Sequence, residues 1–257
     1  MKIQTFLQKA GVASRRKAGE LVKQGVVLLN GQPVQNPWQE MDPERDAIEV
    51  RGKRVRCVET RVYYLFHKPA GILSTVSDPF GRDTVLGYVR SRYGIAQAVF
   101  PVGRLDKDTR GLMLLTNDGE LANRLLHPRY HVQKTYRAVV AGVFSPEEVR
   151  VMAAGMEVGE EHFAPAHVLQ LTPGPGPEQT TVEVQLFEGK KRQVKRMFSA
   201  LGHRVLFLER IRMGKCDLSR VPHPGDLIQL QVEEVGILFP TMKGGVQCEE
   251  KNVYRAP

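Results

Sequence analysis

The stretch from Val102 to Pro128 reads VGRLDKDTRGLMLLTNDGELANRLLHP and contains the strongest structural signal in the chain. Its apolar run from Leu112 to Leu115 predicts a buried strand, and the apolar spacing from Gly119 to Leu126 predicts a helix. Asp106 precedes the strand and is therefore expected in a loop, where reactive groups often lie on a rigid scaffold. Basic residues flank this acid in the sequence. It is a catalytic candidate, and the alternative is a surface ion pair with a neighbouring arginine.

The composition is that of a globular protein, since 257 residues with 42% apolar content can bury a core. No run of about 18 apolar residues is present, and the first residues lack the apolar segment of a secretory signal. We therefore expect a cytoplasmic protein that binds no membrane. Cys57, Cys216 and Cys248 are odd in number and far apart, so they fit neither a disulfide framework nor a zinc site. We expect no metal.

The positive charge of the chain is concentrated in two segments. The formal net charge is +9; residues 1–57 have a net charge of +5, and residues 188–215 have +7. The remainder is negative, which evenly scattered surface lysines would not produce. Clustered charge of this kind favours a polyanionic partner, and nucleic acid fits best.

The first basic segment predicts a helix-helix-hairpin unit. Apolar residues in the first ten positions follow helical spacing, Ser14 is a good N-cap for a second helix, and Asn30-Gly31 is typical of a hairpin turn. Three cations, Arg15, Arg16 and Lys17, occupy the first turn of that second helix. Cations are unfavourable there unless an external anion such as phosphate binds. We expect an RNA-binding domain over residues 1–58.

The second basic segment, EGKKRQVKRMFSALGHRV, predicts an amphipathic helix that Gly202 ends. Its polar face is cationic, and no acid occurs between Lys190 and Leu208. A solvated surface helix usually mixes both signs, so the pattern favours phosphate binding. The cations are Lys190, Lys191, Arg192, Lys195 and Arg196.

The remaining segments complete the predicted layout. A charged passage, RCVETR, separates the first domain from a second one over residues 61–242, and residues 243–257 are expected to be a disordered tail. Lys68 precedes a Gly/Pro-rich loop that is either a simple connection or a closure over bound RNA. Tyr136 lies in a predicted strand, where it either packs in the core or stacks on a base.

These blocks resemble known RNA-modifying proteins. The unit over residues 1–58 is similar to a small RNA-binding domain shared by a ribosomal small-subunit protein, tyrosyl-tRNA synthetase and several RNA-modifying enzymes. The blocks GRLDKDTRGLMLLTNDGELANRLLHP, HVQKTYRAVV and EGKKRQVKRM resemble, in this order, the pseudouridine synthases of the ribosomal small-subunit (Rsu) family. The resemblance implies an α+β fold with a mixed-sheet catalytic domain, a basic cleft, and neither a metal nor an organic cofactor.

The resemblance also implies roles for single residues. Asp106 of GRLD is the catalytic group, Arg104 helps to hold the target nucleotide out of the base stack, and Tyr136 of KTY contacts the target base. Lys195 pairs with the catalytic aspartate. The chain has Arg192-Gln193 where some relatives have His-Gln, so the resemblance leaves the role of Arg192 open. From their positions in the blocks and in the Gly/Pro-rich segment, we assign substrate binding to Arg192, Gln193 and Lys68. We assign RNA binding to Arg15, Arg16, Lys17, Lys191 and Arg196.

The implied reaction breaks the bond from ribose to uracil nitrogen, turns the base and rejoins it through carbon. One carboxylate is enough, and it acts either as a nucleophile or as a base that removes a ribose proton. Two other functions stay open: a catalytically idle ribosome-assembly factor that only binds RNA, and a glycosylase that releases free base. The expected partner is ribosomal RNA, with a lean to the large subunit, or a ribosome-assembly intermediate. The expected state is a monomer.

Overall fold

The computed structural model describes residues 1–56 and 61–239. The chain divides between Arg61 and Val62 into two compact units. The predicted tail over residues 243–257 lies outside the described residues, as do Cys57, Cys248 and most of the predicted linker.

The first unit consists of two helices followed by a four-stranded antiparallel sheet. Its elements are α1 Ile3–Lys9, α2 Arg15–Lys23, β1 Val27–Leu29, β2 Gln32–Pro33, β3 Ile48–Val50 and β4 Lys53–Val55, and the strand order is β2-β1-β3-β4. The Oγ of Ser14 accepts a hydrogen bond from the amide of Lys17, which confirms the predicted N-cap. A second hairpin, which the sequence pattern did not predict, turns at Arg51-Gly52 with positive φ at both residues.

The second unit contains eleven strands and five helices within the described residues. The strands are β5 Tyr63–Lys68, β6 Phe100–Pro101, β7 Arg110–Thr116, β8 Lys134–Ala141, β9 Met156–Val158, β10 Glu161–Phe163, β11 His167–Pro173, β12 Gln179–Leu186, β13 Val205–Met213, β14 Cys216–Asp217 and β15 Leu227–Leu230. The helices are α3 Val85–Tyr93, α4 Gly119–Leu126, α5 Pro146–Ala154, α6 Gln193–Ala200 and α7 Val232–Leu238. Two short 3-10 turns cover Pro128–Tyr130 and Leu218–Arg220.

A nine-stranded mixed sheet forms the centre of this unit. Seven strands follow the order β11-β12-β8-β13-β7-β5-β15, with β14 paired to β13 and β6 paired to β7. The pairing of β13 with β7 is parallel, and the other pairs are antiparallel. The expected mixed-sheet α+β fold is confirmed. Strand β7 and helix α4 lie where the sequence pattern predicts them, and the Asp118 side chain caps α4.

Helices cover both faces of the sheet because successive strand side chains point to opposite faces. Leu112 and Leu114 pack with α4 on one face, and Met113 and Leu115 pack with α3 on the other. Helices α5 and α6 pack on β8, β12 and β13. Within the described ranges, no helix is long and apolar enough to cross a membrane.

Gly111 is required where β7 meets β13. Its φ is +121°, and a Cβ atom built there would lie 2.3 Å from the carbonyl oxygen of Arg210. We predict that Gly111→Ala lowers the free energy of unfolding by roughly 3 kcal/mol, because either the backbone or the strand pairing must distort. Urea unfolding measures this loss. The control is Gly19→Ala in α2, where a Cβ meets nothing within 4 Å; equal stability of the two variants would contradict the argument.

Candidate active site

Asp106 lies in the loop between β6 and β7. The loop makes a tight turn in which the Thr109 amide donates to the Asp106 carbonyl at 3.1 Å. Leu105 is buried and fixes the loop on the sheet, while Arg104 is exposed and Asp106 is half-buried. The loop therefore presents the Asp106 carboxylate at the surface of a rigid support.

The buried Lys68 side chain holds this loop in place through the loop carbonyl groups. Its predicted role in substrate binding is wrong. The side chain has no exposed surface. Its Nζ donates to the carbonyl oxygens of Thr109 at 2.8 Å, Asp106 at 3.2 Å and Lys107 at 3.4 Å, and to that of Pro69 at 3.0 Å. The ammonium group thus has its donors occupied by the protein, so Lys68 is a positioning residue.

Burial lowers the pKa of Lys68 to about 8, the charges of Asp108 and Asp106 oppose this shift, and the charge of Arg210 adds to it. A pKa of about 8 leaves Lys68 mostly protonated at neutral pH. The carbonyl contacts require the ammonium form, and this is the main form of Lys68 at neutral pH.

A second set of contacts, which the sequence argument missed, joins the loop to the segment after β5. The Ser74 Oγ accepts from the Leu105 amide at 3.0 Å and donates to the Leu105 carbonyl at 2.6 Å. The Gly71 amide donates to the Lys107 carbonyl at 2.7 Å. The Gly/Pro-rich stretch that begins at Lys68 was the one feature of the sequence that could have indicated a role for this segment in holding the loop.

The Asp106 carboxylate is free of protein partners. Among residues 1–56 and 61–239, no donor hydrogen-bonds to it and no cation forms an ion pair with it. The expected ion pair with Lys195 is wrong, because the Lys195 ammonium lies 2.5 Å from Asp108 instead. The turn after Asp106 directs Asp108 toward the first turn of α6, and this bond lowers the pKa of Asp108. Lys195 still lines the same recess as Asp106.

An open cleft of about 1150 Å³ includes Asp106 in its wall. Tyr136, the half-buried third residue of β8, lines this cleft together with Arg104 and Arg192. The structure therefore brings together these four residues, which the sequence argument had assigned to one site. Arg192 adopts the left-handed conformation at the start of α6, with φ of +53°. Such strain in a non-glycine residue is common at functional sites.

The loop before α6 is held by Glu188, an acid that the sequence argument overlooked. Its Oε1 accepts from the Gln193 side chain at 2.6 Å and from the Ala164 amide at 3.0 Å. Gln193 is buried and its amide nitrogen is bonded to the protein, although the residue also lines the recess that contains Asp106. Its role in substrate binding stays a prediction. Glu188 is the only acid in the EGKKRQVKRM block, and this isolated position was the feature of the sequence that could have drawn attention to it.

Two of the cations around α6 are engaged by the hairpin of β9 and β10. Arg196 forms an ion pair with Glu161 and donates to the Val158 carbonyl, while Lys190 donates to the His162 carbonyl. The Arg196 side chain is therefore engaged within the protein, and these contacts compete with its predicted role in RNA binding. Lys191 is exposed.

The first unit has its own group of exposed cations. Arg15, Arg16 and Lys17 are exposed in the first turn of α2, where no acidic residue occurs. The Arg15 Nε donates to the Gln8 side chain at 2.8 Å, and Arg16 makes a loose contact of 3.9 Å with Glu20. All three side chains are accessible to a phosphate at the helix N-terminus.

Residues 62–200 match the family described as RNA pseudouridylate synthase, and residues 1–43 match the S4 domain. This chain belongs to the RNA pseudouridylate synthase family. The family assignment supports an active enzyme over the catalytically idle assembly factor.

Relatives similar to the synthase align over nearly its whole length. The Ribosomal large subunit pseudouridine synthase B of Bacillus subtilis is 41% identical over 91% of this chain and 93% of its own. An uncharacterized RNA pseudouridine synthase of Aquifex aeolicus is 40% identical over 93% of this chain and 94% of its own. A crystal structure of a pseudouridylate synthase matches with a TM-score of 0.63 and 27% identity, over 93% of this chain and 99% of that one.

We predict that Lys68→Met lowers kcat by about 10- to 100-fold, because the loop carbonyls lose their donor and Asp106 shifts. KM for RNA should change less than about twofold, since Lys68 has no exposed surface. Steady-state kinetics on an RNA substrate measures both. Lys215→Met, at an exposed lysine in the turn after β13, is the control. A raised KM with an unchanged kcat would show that Lys68 binds substrate after all.

Proposed function

We propose that the synthase converts a uridine of large-subunit ribosomal RNA to pseudouridine, with Asp106 as the catalytic group. The observation that supports this most strongly is the state of the half-buried Asp106 carboxylate. No described side chain bonds to it, and it lies in the wall of a cleft that Arg104, Arg192 and Tyr136 also line. The reaction breaks the bond from C1′ to N1 and forms one from C1′ to C5. A proton leaves C5 and another is gained at N1, so no redox or group-transfer cofactor is needed.

Asp106 has two possible roles in this reaction. As a nucleophile it attacks C1′ and forms a glycosyl ester that the turned base then displaces. As a base it removes the proton on C2′ while the C1′–N1 bond breaks, which gives a glycal and the uracil anion; C5 of the turned base then bonds to C1′ and the proton returns to C2′. Both roles need an ionised carboxylate without a blocking partner. The bond between Lys195 and Asp108 keeps a direct ion pair away from Asp106, which supports its availability.

The target uridine must leave the base stack to reach Asp106, at a cost of a few kcal/mol. Tyr136 offers a flat aromatic surface for the uracil ring, and stacking on it offsets part of that cost. Arg104 is exposed beside Asp106, so it is available to fill the gap in the RNA helix. Arg192 and Lys191 add positive charge for the RNA backbone.

The substrate class rests on the relatives and on the first unit. The Bacillus relative is named for the large ribosomal subunit, which supports large-subunit RNA as the substrate here. The S4 match and the exposed cations of α2 support RNA affinity that does not depend on sequence. We propose that the enzyme acts as a cytoplasmic monomer on ribosomal RNA or a ribosome-assembly intermediate.

We predict that the purified protein forms pseudouridine in unmodified large-subunit rRNA and that Asp106→Asn lowers the rate by at least about 10³-fold while RNA binding persists. Carbodiimide-adduct primer extension detects the product and identifies the nucleotide. Small-subunit rRNA and partly assembled subunits are assayed in parallel.

Asp108→Asn is the matched control, since it neutralises the other acid of the same turn. It should retain measurable turnover, because Asp108 acts only through Lys195. Full activity of Asp106→Asn would reject the role of Asp106. Free uracil among the products would indicate a glycosylase, and a stop only in small-subunit RNA would change the substrate and leave the chemistry in place.

A further inference from the structure

Two buried cations lie beside Tyr136 in the wall of the cleft. Lys134 is 5% exposed and Arg210 is 2% exposed, and both line the cleft that contains Asp106. Lys134 precedes Tyr136 by two residues in β8, so their side chains point to the same face of the sheet. Arg210 lies directly opposite Tyr136 in the pairing of β13 with β8.

Neither cation is neutralised by the protein. The Lys134 Nζ donates to the Val132 carbonyl at 3.2 Å, and the Arg210 Nε donates to the Leu112 carbonyl at 2.8 Å. The Arg210 Nη2 is buried without a hydrogen-bond partner in the described structure. Within residues 1–56 and 61–239, no carboxylate forms an ion pair with Lys134 or Arg210. Buried charges without a partner cost several kcal/mol, so proteins rarely keep them without a reason.

Several other cations of the second unit have partners within the protein. Arg110 pairs with Glu209 at 2.8 Å, Lys195 pairs with Asp108, and Lys68 has its carbonyl oxygens. Burial and the nearby charge of Arg210 lower the pKa of Lys134 to about 8, which still leaves most of the ammonium form at neutral pH. Lys134 and Arg210 thus place two positive charges with free donors in the wall of the cleft that Tyr136 also lines.

We propose that Lys134 and Arg210 form a phosphate subsite for the backbone phosphodiester next to the flipped uridine. The inference rests on the proposed function, because it takes Tyr136 as the support for the target base. Residues two apart on a strand are separated by about 7 Å. A nucleotide has its phosphate one ribose away from its base, a separation of the same order. A phosphate seated there supplies the anion that both cations lack and fixes the ribose with C1′ toward Asp106.

The test is a set of synthetic RNA fragments around the modified uridine, each with one phosphodiester replaced by a neutral methylphosphonate. For the wild type, the neutral linkage next to the target uridine should weaken binding by about 10- to 100-fold, the loss typical of a hydrogen-bonded charge. Lys134→Met should weaken binding of the unmodified fragment by a similar factor. It should then be less sensitive than the wild type to that one linkage, because one of the two cationic partners of the phosphate is already gone.

Arg137→Met is the matched control. Arg137 lies on the same strand but on the opposite face, where it pairs with Glu183, so the variant also removes one positive charge. It should keep the sensitivity of the wild type to the neutral linkage. Arg210→Gln provides a second variant of the subsite, and urea unfolding checks that each variant is folded.

Two results would overturn the phosphate subsite while the proposed function stands. In the first, wild type forms pseudouridine but Lys134→Met keeps its sensitivity to each neutral linkage. In the second, Lys134→Met lowers kcat with unchanged affinity, which would place these cations under the departing uracil instead of under a phosphate. Absence of product with the wild type would reject the proposed function and the subsite together.

Discussion

The burial of the Lys68 ammonium beneath the loop of Asp106 is the interaction on which the site depends. A buried charge needs strong partners, and here the partners are the carbonyl oxygens of the loop itself. The ammonium group therefore determines the backbone path of the loop, and the path determines where the Asp106 carboxylate lies. Ser74 and Gly71 fix the same loop from its other side. Among the residues that the structure describes, the Asp106 carboxylate then has no hydrogen-bond or ion-pair partner, as its proposed role as the reactive group requires.

Positive charge in the second unit is divided between structural and ligand-binding tasks. Arg110, Arg196 and Lys195 have carboxylate partners, so they contribute to the fold. A second group lines the cleft and has no carboxylate partner within residues 1–56 and 61–239: Arg104, Arg192, Lys134 and Arg210. Substrate RNA brings negative charge in its phosphates, which explains why the enzyme keeps cations that the protein alone leaves uncompensated. Asp106, the proposed catalytic group, thereby shares the cleft with several cations.

Local features of the fold could be predicted from the sequence because they depend on neighbouring residues. Helix α4, strand β7 and the N-cap at Ser14 follow from apolar spacing and capping chemistry. The parallel pairing of β13 with β7 could not be predicted, since it joins segments about a hundred residues apart. The same limit explains the errors at the site. Whether Lys195 meets Asp106 or Asp108 is decided by the direction of one turn, and whether Lys68 faces substrate or carbonyls is decided by how a distant loop folds over it.

Hydrogen exchange of the Asp106 loop tests the central claim, that the buried Lys68 ammonium fixes this loop, most directly. The amides of Leu105 and Thr109 are hydrogen-bonded in the structure and report on the loop. In Lys68→Met, peptides that cover residues 102–110 should exchange faster by a factor of about ten or more, the effect of losing roughly one net hydrogen bond. Peptides from β12 should exchange as in the wild type. Unchanged exchange over residues 102–110 would contradict the account and would require another origin for the position of Asp106.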